Sequence, residues 1–279
     1  MQRHDRPAAT PAARLIRDLV HERTGIYHED DRLELMMEKI SDLIIERGFD
    51  SHLDYYYLLK YDPENTVDWS KLMDAITVRE TFFWRETDQV HALVDVILPQ
   101  HYAKSSEPFI LWSAACASGE EPLTIAMALD TAGWLNRVPI VIHASDASAS
   151  AIRLARQGLY KQRSFRSLPT ELRDRYFQPC GDLWQVSPEL HRHIRWSTAN
   201  LSHAEEINNL ARAHAIFCRN VFIYFSDAAI RQTVKLFAQR VYEPGYLFVG
   251  ASESLLRLSS EFTLQEIHRA FVYVKAGRS

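Results

Sequence analysis

Acidic, amide and small side chains follow the apolar segments predicted as strands in the second part of the sequence. Apolar FILWS (109–113) precedes AACASGEEP, and PIVIHASD (139–146) ends in an aspartate. HIRWSTANL (193–201) and HAIFCRN (214–220) end in amide, apolar or basic residues. The candidate binding residues at these strand ends are Gly119, Glu121, Asp146, Asn200, Leu201, Arg219 and Asn220.

These residue types suit one kind of ligand. In an open α/β sheet, ligands bind beyond the carboxyl ends of the strands. Small residues let the backbone approach a ligand closely, and Gly119 permits a sharp turn. An acidic residue such as Asp146 is placed to accept hydrogen bonds from the two hydroxyls of a ribose. Together with the amides, this predicts an adenosine ligand that carries no phosphate.

Two structural alternatives remain open for the carboxylates. Asp146 would also serve as the N-cap of the helix that follows it. Glu121, at the mouth of the next predicted helix with Pro122 as its first residue, would also serve only to complement the helix dipole. Their placement at the ends of consecutive strands favours a site over either alternative.

Glycine and metal-ligand patterns exclude other chemistries. Nine glycines in 279 residues form neither a GxGxxG nor a GK[ST] loop, so the usual phosphate cradles are absent. His191-x-His193, expected to direct both rings to one face of a strand, has no third ligand at a plausible spacing, and we expect no metal. Cys116, Cys180 and Cys218 are widely spaced and are expected to be free thiols.

The pattern of apolar residues indicates two domains. Residues 1–77 are predicted to be all-helical, beginning with Thr10 as N-cap and Pro11 as first helical residue. Residues 78–279 alternate short strands with helices, which predicts a doubly wound α/β domain with a predominantly parallel sheet. The last stretch predicts a hairpin, and about 162–195 a small inserted subdomain.

The charge distribution limits the partners. The chain has a formal net charge of −4, and residues 1–75 have ten basic against sixteen acidic residues. This is not the basic field of a non-specific nucleic-acid binder. The start of the sequence has no apolar core of signal-peptide length, and no run approaches 18 apolar residues, so we expect a cytoplasmic protein without membrane insertion.

Several motifs together resemble one family. RETFFWRE (79–86), WSAACASGEEP (112–122), ASD (144–146), FCRNVFIYF (217–225) and YEPGYLFVGASESL (242–255) are similar to the CheR-type chemotaxis receptor methyltransferases. The resemblance spans nearly the whole chain. It implies a helical N-terminal domain, a Rossmann-like domain that binds S-adenosyl-L-methionine, and a small β-subdomain.

The resemblance also implies roles for individual residues. Thr81 and Arg85 would contact S-adenosylmethionine, with Arg85 shaping the methyl-transfer site, and Tyr224 would lie near the transferred methyl group. Glu121 and Asp146 would hold the cofactor, Asp146 at its ribose. The remaining implied cofactor contacts are Gly119, Asn200, Leu201, Arg219 and Asn220. Where the family has an asparagine this chain has Arg79, which puts that cofactor contact in doubt, and Trp84 replaces a phenylalanine at the substrate entrance.

The implied activity is methylation of glutamate side chains on the cytoplasmic helices of chemoreceptors, yielding S-adenosyl-L-homocysteine, by a monomer. Receptors without a C-terminal tail peptide, or another signalling array, are the expected substrates. Alternatives are a non-catalytic module that senses S-adenosylmethionine, a methyltransferase for another signalling protein, and a nucleic-acid methyltransferase. Arg14 and Arg17, three residues apart, would offer a local basic patch in an acidic region.

Overall fold

The computed structural model describes residues 10–62, 66–77 and 80–275. Its contacts divide the chain into two compact units. The first unit contains the described residues up to 77 together with Tyr224–Ser226, and the second contains the remaining described residues.

Four helices form the first unit, and their bounds are α1 Pro11–Thr24, α2 Leu33–Glu46, α3 His52–Tyr61 and α4 Thr66–Ile76. Local sequence signals set the ends of α1 and α3. The Thr10 hydroxyl accepts a hydrogen bond from Ala13 N at 3.3 Å, and Gly25 ends α1 with a φ of 75°. The Ser51 hydroxyl caps α3 in the same way. The predicted start and end of α1 are confirmed.

The predicted basic patch on α1 is wrong, because acidic neighbours pair with both arginines. Arg14 Nη2 lies 3.6 Å from Asp30 Oδ2, and Arg17 contacts both Asp18 and Asp30. The spacing of two arginines on a helix says nothing of a carboxylate that follows the helix in the chain.

The second unit contains a helical stretch before the first strand and helices between the strands. A π-helical turn at Ala92–Ile97 joins the first two helices. The bounds are α5 Thr87–His91, α6 Leu98–Tyr102, α7 Glu120–Thr131, α8 Ala149–Gln157, α9 Thr170–Tyr176, α10 Pro188–His191, α11 Ala204–Ile207 and α12 Asp227–Arg240.

Ten strands form two sheets in this unit. The bounds are β1 Phe109–Ala114, β2 Ile140–Asp146, β3 Leu159–Lys161, β4 Phe177–Cys180, β5 Leu183–Val186, β6 Ile194–Thr198, β7 Ala215–Phe217, β8 Gly245–Phe248, β9 Thr263–Ile267 and β10 Ala270–Lys275. The large sheet has the order β6-β2-β1-β7-β8-β10-β9, and the small antiparallel sheet β3-β5-β4.

The first five strands of the large sheet are parallel, and β10 is antiparallel to both its neighbours. The predicted α/β fold with a helical N-terminal part and a small β-subdomain is therefore confirmed, as is the C-terminal hairpin. The chain order reverses between β1 and β7, and such a switch point opens a crevice at the carboxyl ends of the strands. Buried Phe217 and Phe248 stack at 4.1 Å between ring centroids beneath this edge.

Two local predictions are wrong. His191 ends α10 and His193 lies in the following turn, so the two rings do not share a strand. His191 Nε2 instead lies 2.9 Å from the Ala155 carbonyl oxygen. Helix α7 begins at Glu120 with Gly119 as its cap, which makes Pro122 the third helical residue rather than the first. The Ser187 hydroxyl accepts a hydrogen bond from Leu190 N at 3.2 Å and caps α10, and Glu120 and Glu121 form the start of α7 ahead of Pro122.

Candidate active site

Asp146 ends β2 and fastens two loops at the carboxyl edge of the sheet. Its Oδ2 accepts a hydrogen bond from Ala117 N at 2.9 Å, and its Oδ1 accepts one from Ser148 N at 2.8 Å. The hydroxyl of Ser148, not the Asp146 carboxylate, caps α8. The N-cap alternative for Asp146 is therefore wrong, and the carboxylate instead links the turn after β1 to the turn after β2.

The turn after β1 brings its backbone close to the edge. Ala115, Ala117 and Gly119 have φ angles of 56°, 48° and 95°. A Cβ on Gly119 would lie 2.7 Å from the Trp196 ring, so the glycine is also required for packing. The predicted cofactor contact at Gly119 stays a prediction, and packing against Trp196 is a second reason for this glycine.

Glu121 belongs to a buried ion pair at the start of α7. Arg219 Nε donates to Glu121 Oε2 at 2.6 Å, and Ser113 Oγ donates to Glu121 Oε1 at 2.6 Å. The Arg219 side chain is 3% exposed and that of Glu121 13%. Each oxygen of a carboxylate has a second lone pair. Glu121 can therefore hold Arg219 and still accept hydrogen bonds from a ligand.

Arg219 also holds the segment that contains the RETFFWRE motif. Its Nη1 lies 3.2 Å from the Arg85 carbonyl oxygen, 3.1 Å from that of Glu86 and 3.4 Å from Gln89 Oε1. Gln89 Nε2 in turn donates to the Val249 carbonyl oxygen at 2.8 Å. Sequence reasoning did not single out Gln89, which links the motif to the loop after β8.

Phe83 anchors the same motif on the small sheet. It is fully buried, and its ring centroid lies 4.8 to 5.1 Å from those of Tyr160, Phe165 and Phe177. Its amide donates to the Ser164 carbonyl oxygen at 2.9 Å. Phe83 therefore fixes the segment 80–86 by its buried ring, while its neighbours on either side in the chain are partly exposed.

Arg85 and Thr81 are those neighbours, and both are partly exposed. Arg85 Nε lies 3.8 Å from Glu86 Oε1, and its guanidinium lies 5.5 Å from the Phe82 ring centroid. Arg85 Nη1 also lies 3.4 Å from the Glu80 carbonyl oxygen, and the side chain is 30% exposed, so its guanidinium remains accessible to solvent.

Asn220 follows β7 in a left-handed conformation with a φ of 59°. Its side-chain Nδ2 lies 3.5 Å from Glu86 Oε1, and its backbone N–H donates to Glu253 Oε2 at 2.8 Å. Glu253 was not singled out in the sequence, although it lies in the GASESL motif. The carboxylate organises a loop more than thirty residues away in the chain.

The remaining predicted residues have different surroundings. Asn200 Oδ1 accepts a hydrogen bond from Ser202 N at 3.0 Å, and Leu201 is buried, so both shape the turn after β6. Tyr224 belongs to the first unit, where its carbonyl oxygen accepts a hydrogen bond from Tyr27 N. Arg79 lies outside the described residues. The roles of these residues stay predictions.

Non-glycine residues with positive φ are concentrated at this edge. Such backbone conformations cost free energy and persist where the surrounding structure holds them, most often at functional sites. The residues of this edge that have them are Trp84, Glu86, Ala115, Ala117 and Asn220.

Burial raises the pKa values of two titratable groups near the crevice, Glu120 and Cys116. It raises the pKa of Glu120, which is 2% exposed and accepts hydrogen bonds from Ser118 Oγ and Ser164 Oγ that act against the rise. Burial also raises the pKa of the Cys116 thiol, reinforced by Asp146 and Glu121. A thiol held protonated is a poor nucleophile, which argues against covalent catalysis at Cys116.

Among residues 10–62, 66–77 and 80–275, no group of three or more His, Cys, Asp or Glu side chains is arranged to hold a metal ion. No helix in the described part of the chain is long and apolar enough to cross a lipid bilayer.

The fold and the crevice define the class of protein: an α/β methyltransferase that uses S-adenosyl-L-methionine. The model for the all-alpha domain of CheR methyltransferases matches residues 12–77, and the model for their SAM-binding domain matches residues 79–271. The chain belongs to the CheR methyltransferase family.

Chemotaxis protein methyltransferases are similar over most of their length. Methyltransferase 2 of Vibrio cholerae is 31% identical over 93% of this chain and 91% of that protein. The Vibrio parahaemolyticus enzyme is 35% identical over 72% and 74%, and that of Salmonella typhimurium 29% over 90% and 86%.

The residues at the crevice fit S-adenosylmethionine. The cofactor combines ribose hydroxyls with a positively charged sulfonium and amino group and has no phosphate. The donors and acceptors here match that chemistry, because the edge offers the carboxylates of Asp146 and Glu121 beside an alanine-rich turn. The left-handed turn at 115–119 has only small side chains, so a ligand can reach its backbone.

Proposed function

We propose that this protein methylates glutamate side chains on the cytoplasmic helices of chemoreceptors, with S-adenosylmethionine as methyl donor. The observation that supports the proposal is that Glu121 and Asn220 follow β1 and β7, which flank the switch point, while Asp146 ends neighbouring β2 and Arg85 is 30% exposed. Its relatives are named chemotaxis protein methyltransferases.

The reaction needs no general base. A glutamate has a reference pKa near ~4.3, so its carboxylate is already an ionised nucleophile at neutral pH. When bound, S-adenosylmethionine supplies a methyl group that leaves its sulfur as a substrate oxygen forms the new ester bond. No side chain of the protein would have to accept or donate a proton in this transfer. Holding the carboxylate in line is therefore the main task of the protein.

Named residues of this chain divide that task. Asp146 would accept hydrogen bonds from the ribose hydroxyls of S-adenosylmethionine. Glu121 would accept them from the positively charged amino group of the cofactor. Arg85 would orient the substrate carboxylate. Its 3.8 Å separation from Glu86 supports this role, because a tight ion pair would compete with the substrate. Thr81, Asn200, Leu201 and Asn220 would complete the cofactor site, with Tyr224 near the methyl group.

We also propose that the enzyme is a cytoplasmic monomer and acts on receptors without a docking tail. Strand β4, an outer strand of the small sheet, contains Pro179, which has no amide hydrogen to offer an added strand. Calorimetry with peptides from receptor C-termini should then detect no tight binding. Sedimentation at micromolar concentration should give a single species of 32.3 kDa.

The direct test is transfer of labelled methyl groups to receptor membranes of the same cell. We expect alkali-labile label, as methyl esters release methanol in base, in the receptors and none in total RNA or DNA. The variant Asp146→Ala should abolish labelling and weaken cofactor binding at least tenfold. Normal cofactor binding without receptor labelling would favour the sensing alternative, and label in nucleic acid would indicate a different enzyme class.

A further inference from the structure

The carboxylate of Glu253 lies at the centre of a cluster of backbone amides. Glu253 Oε2 accepts hydrogen bonds from Asn220 N at 2.8 Å and Gly250 N at 2.6 Å. Glu253 Oε1 accepts them from Val221 N at 2.8 Å and Ile223 N at 3.3 Å. Each oxygen uses both of its lone pairs, and hydrogen bonds to an ionised acceptor are about twice as strong as neutral ones.

Three of these amides, those of Asn220, Val221 and Ile223, belong to the loop after β7, which lies outside the sheet. Asn220 there has a φ of 59°, a conformation that a non-glycine residue keeps only when its surroundings hold it. Glu253 provides that support from a separate loop.

The loop of Glu253 is itself fixed at both ends. Glu253 N donates to the Gly250 carbonyl oxygen at 2.8 Å, which closes a tight turn. Two residues further on, Leu255 N donates to the hydroxyl of buried Tyr273 in β10 at 2.8 Å. The backbone around Glu253 is therefore held by its own hydrogen bonds, which do not involve the loop 220–223 that the carboxylate supports.

Gly250 packs closely against both Asn220 and the Glu253 carboxylate. A Cβ on Gly250 would lie 2.5 Å from Asn220 Nδ2 and 3.0 Å from Asn220 N. Glu86 Oε2 accepts a hydrogen bond from Ala251 N at 3.2 Å, and Glu86 Oε1 lies 3.5 Å from Asn220 Nδ2. Gly250 and Glu86 thus both lie against the side-chain amide of Asn220.

We infer that Glu253 is a positioning residue for S-adenosylmethionine: it holds Asn220 and the loop 220–223 in the conformation that binds the cofactor. The inference rests on the proposed cofactor role of Asn220. Both oxygens of Glu253 are engaged by backbone amides, so it would act through the backbone of its neighbours.

The first test uses the unmodified protein without cofactor. Hydrogen exchange of the amides of Asn220, Val221 and Ile223 should be slow, although these residues lie outside strands and α-helices. Exchange as rapid as that of solvent-exposed amides without a hydrogen-bond acceptor would overturn the inference, whatever the protein methylates.

The second test is Glu253→Gln, which keeps the shape but places an NH₂ group opposite two amide donors. Calorimetry with S-adenosylhomocysteine should show a dissociation constant raised about tenfold, as expected when the binding conformation is populated only in part. Exchange at 220–223 should accelerate. The KM for S-adenosylmethionine should rise with it, while the KM for receptor is unchanged.

Gly250→Ala should have the same effect on binding and exchange, because its Cβ would lie 2.5 Å from Asn220 Nδ2 and 2.9 Å from Glu253 Oε2 and would force the two residues apart. Glu266→Gln, on exposed β9, is the matched control and should bind like the unmodified protein. Unchanged affinity in both Glu253→Gln and Gly250→Ala would overturn the inference. Failure of the unmodified protein to bind S-adenosylhomocysteine would instead overturn the proposed function.

Discussion

Arg219 and Glu121 form a nearly buried ion pair, with Arg219 Nε 2.6 Å from Glu121 Oε2, that joins the end of β7 to the start of α7. The same guanidinium is within hydrogen-bonding distance of the carbonyl oxygens of Arg85 and Glu86. One side chain therefore links the cofactor edge to the motif segment that contains the proposed substrate-orienting arginine.

Replacing one member of this ion pair should lower the free energy of unfolding more than replacing both members. Arg219→Gln leaves a carboxylate and two carbonyl groups without their cation, and we expect a loss of about 3 kcal/mol in the free energy of unfolding. Urea denaturation of Arg219→Gln, Glu121→Gln and the double variant should give a coupling energy above about 1 kcal/mol. The exposed pair Lys71–Glu46 is the control and should show almost none. Additive effects at the buried pair would contradict the prediction.

Glu120→Gln should stabilise the protein at neutral and alkaline pH. Burial raises the pKa of this carboxyl, so the folded state binds its proton more tightly than the unfolded state. The ionised form thus destabilises the fold above the folded pKa, and the penalty fades as pH falls through it. The difference in melting temperature between Glu120→Gln and the unmodified protein should shrink towards pH 4. A constant difference at all pH values would show that ionisation is not its cause.

His214 should make the fold less stable in acid. Burial, assisted by His101, lowers its pKa to about 4, while its ordinary value is 6.5. Between these values the unfolded chain binds a proton that the folded chain does not, so stability falls as pH decreases from 6.5 towards 4. The ring is partly solvated, so we expect a loss of roughly 1–2 kcal/mol.

The matched test is His214→Asn. Its side-chain oxygen can still accept the hydrogen bond that Ile110 N donates to His214 Nδ1 at 3.0 Å, but it does not titrate. Unfolding in urea from pH 7 to pH 4 should show a shallower decline for this variant. His52→Asn, at the start of α3, should follow the unmodified protein. Identical slopes for all three proteins would rule out His214 as the titrating group.

Glycine in the turn between β9 and β10 should increase the stability of the protein. His268 and Arg269 have φ angles of 57° and 107°, the left-handed conformations of a two-residue hairpin turn. Arg269→Gly should stabilise the protein by about 1 kcal/mol. The opposite change, Gly181→Ala in the turn between β4 and β5, should cost about as much, because that glycine has a φ of 58° and open space around it. Thermal unfolding measures both, and equal signs would refute the argument.

Much of the fold was predictable from local signals. Thr10, Pro11 and Gly25 set the ends of α1, and the alternation of apolar strands with helices predicted the parallel sheet. Because the carboxyl ends of parallel strands meet at one edge, the sequence also indicated that Glu121, Asp146 and Asn220 would share a crevice. These signals act between residues close in the chain or through the regular geometry of a sheet.

The tertiary structure decided which groups hold that crevice in place. Nothing near Glu253 in the sequence indicates that it binds the amide of Asn220, and nothing near Arg219 indicates its contact with the carbonyl oxygen of Arg85. The sequence likewise placed Arg14 and Arg17 in a basic patch that Asp30 neutralises. Loop contacts of this kind have no periodicity, because their partners meet only after the strands have paired and the chain between them has been folded back.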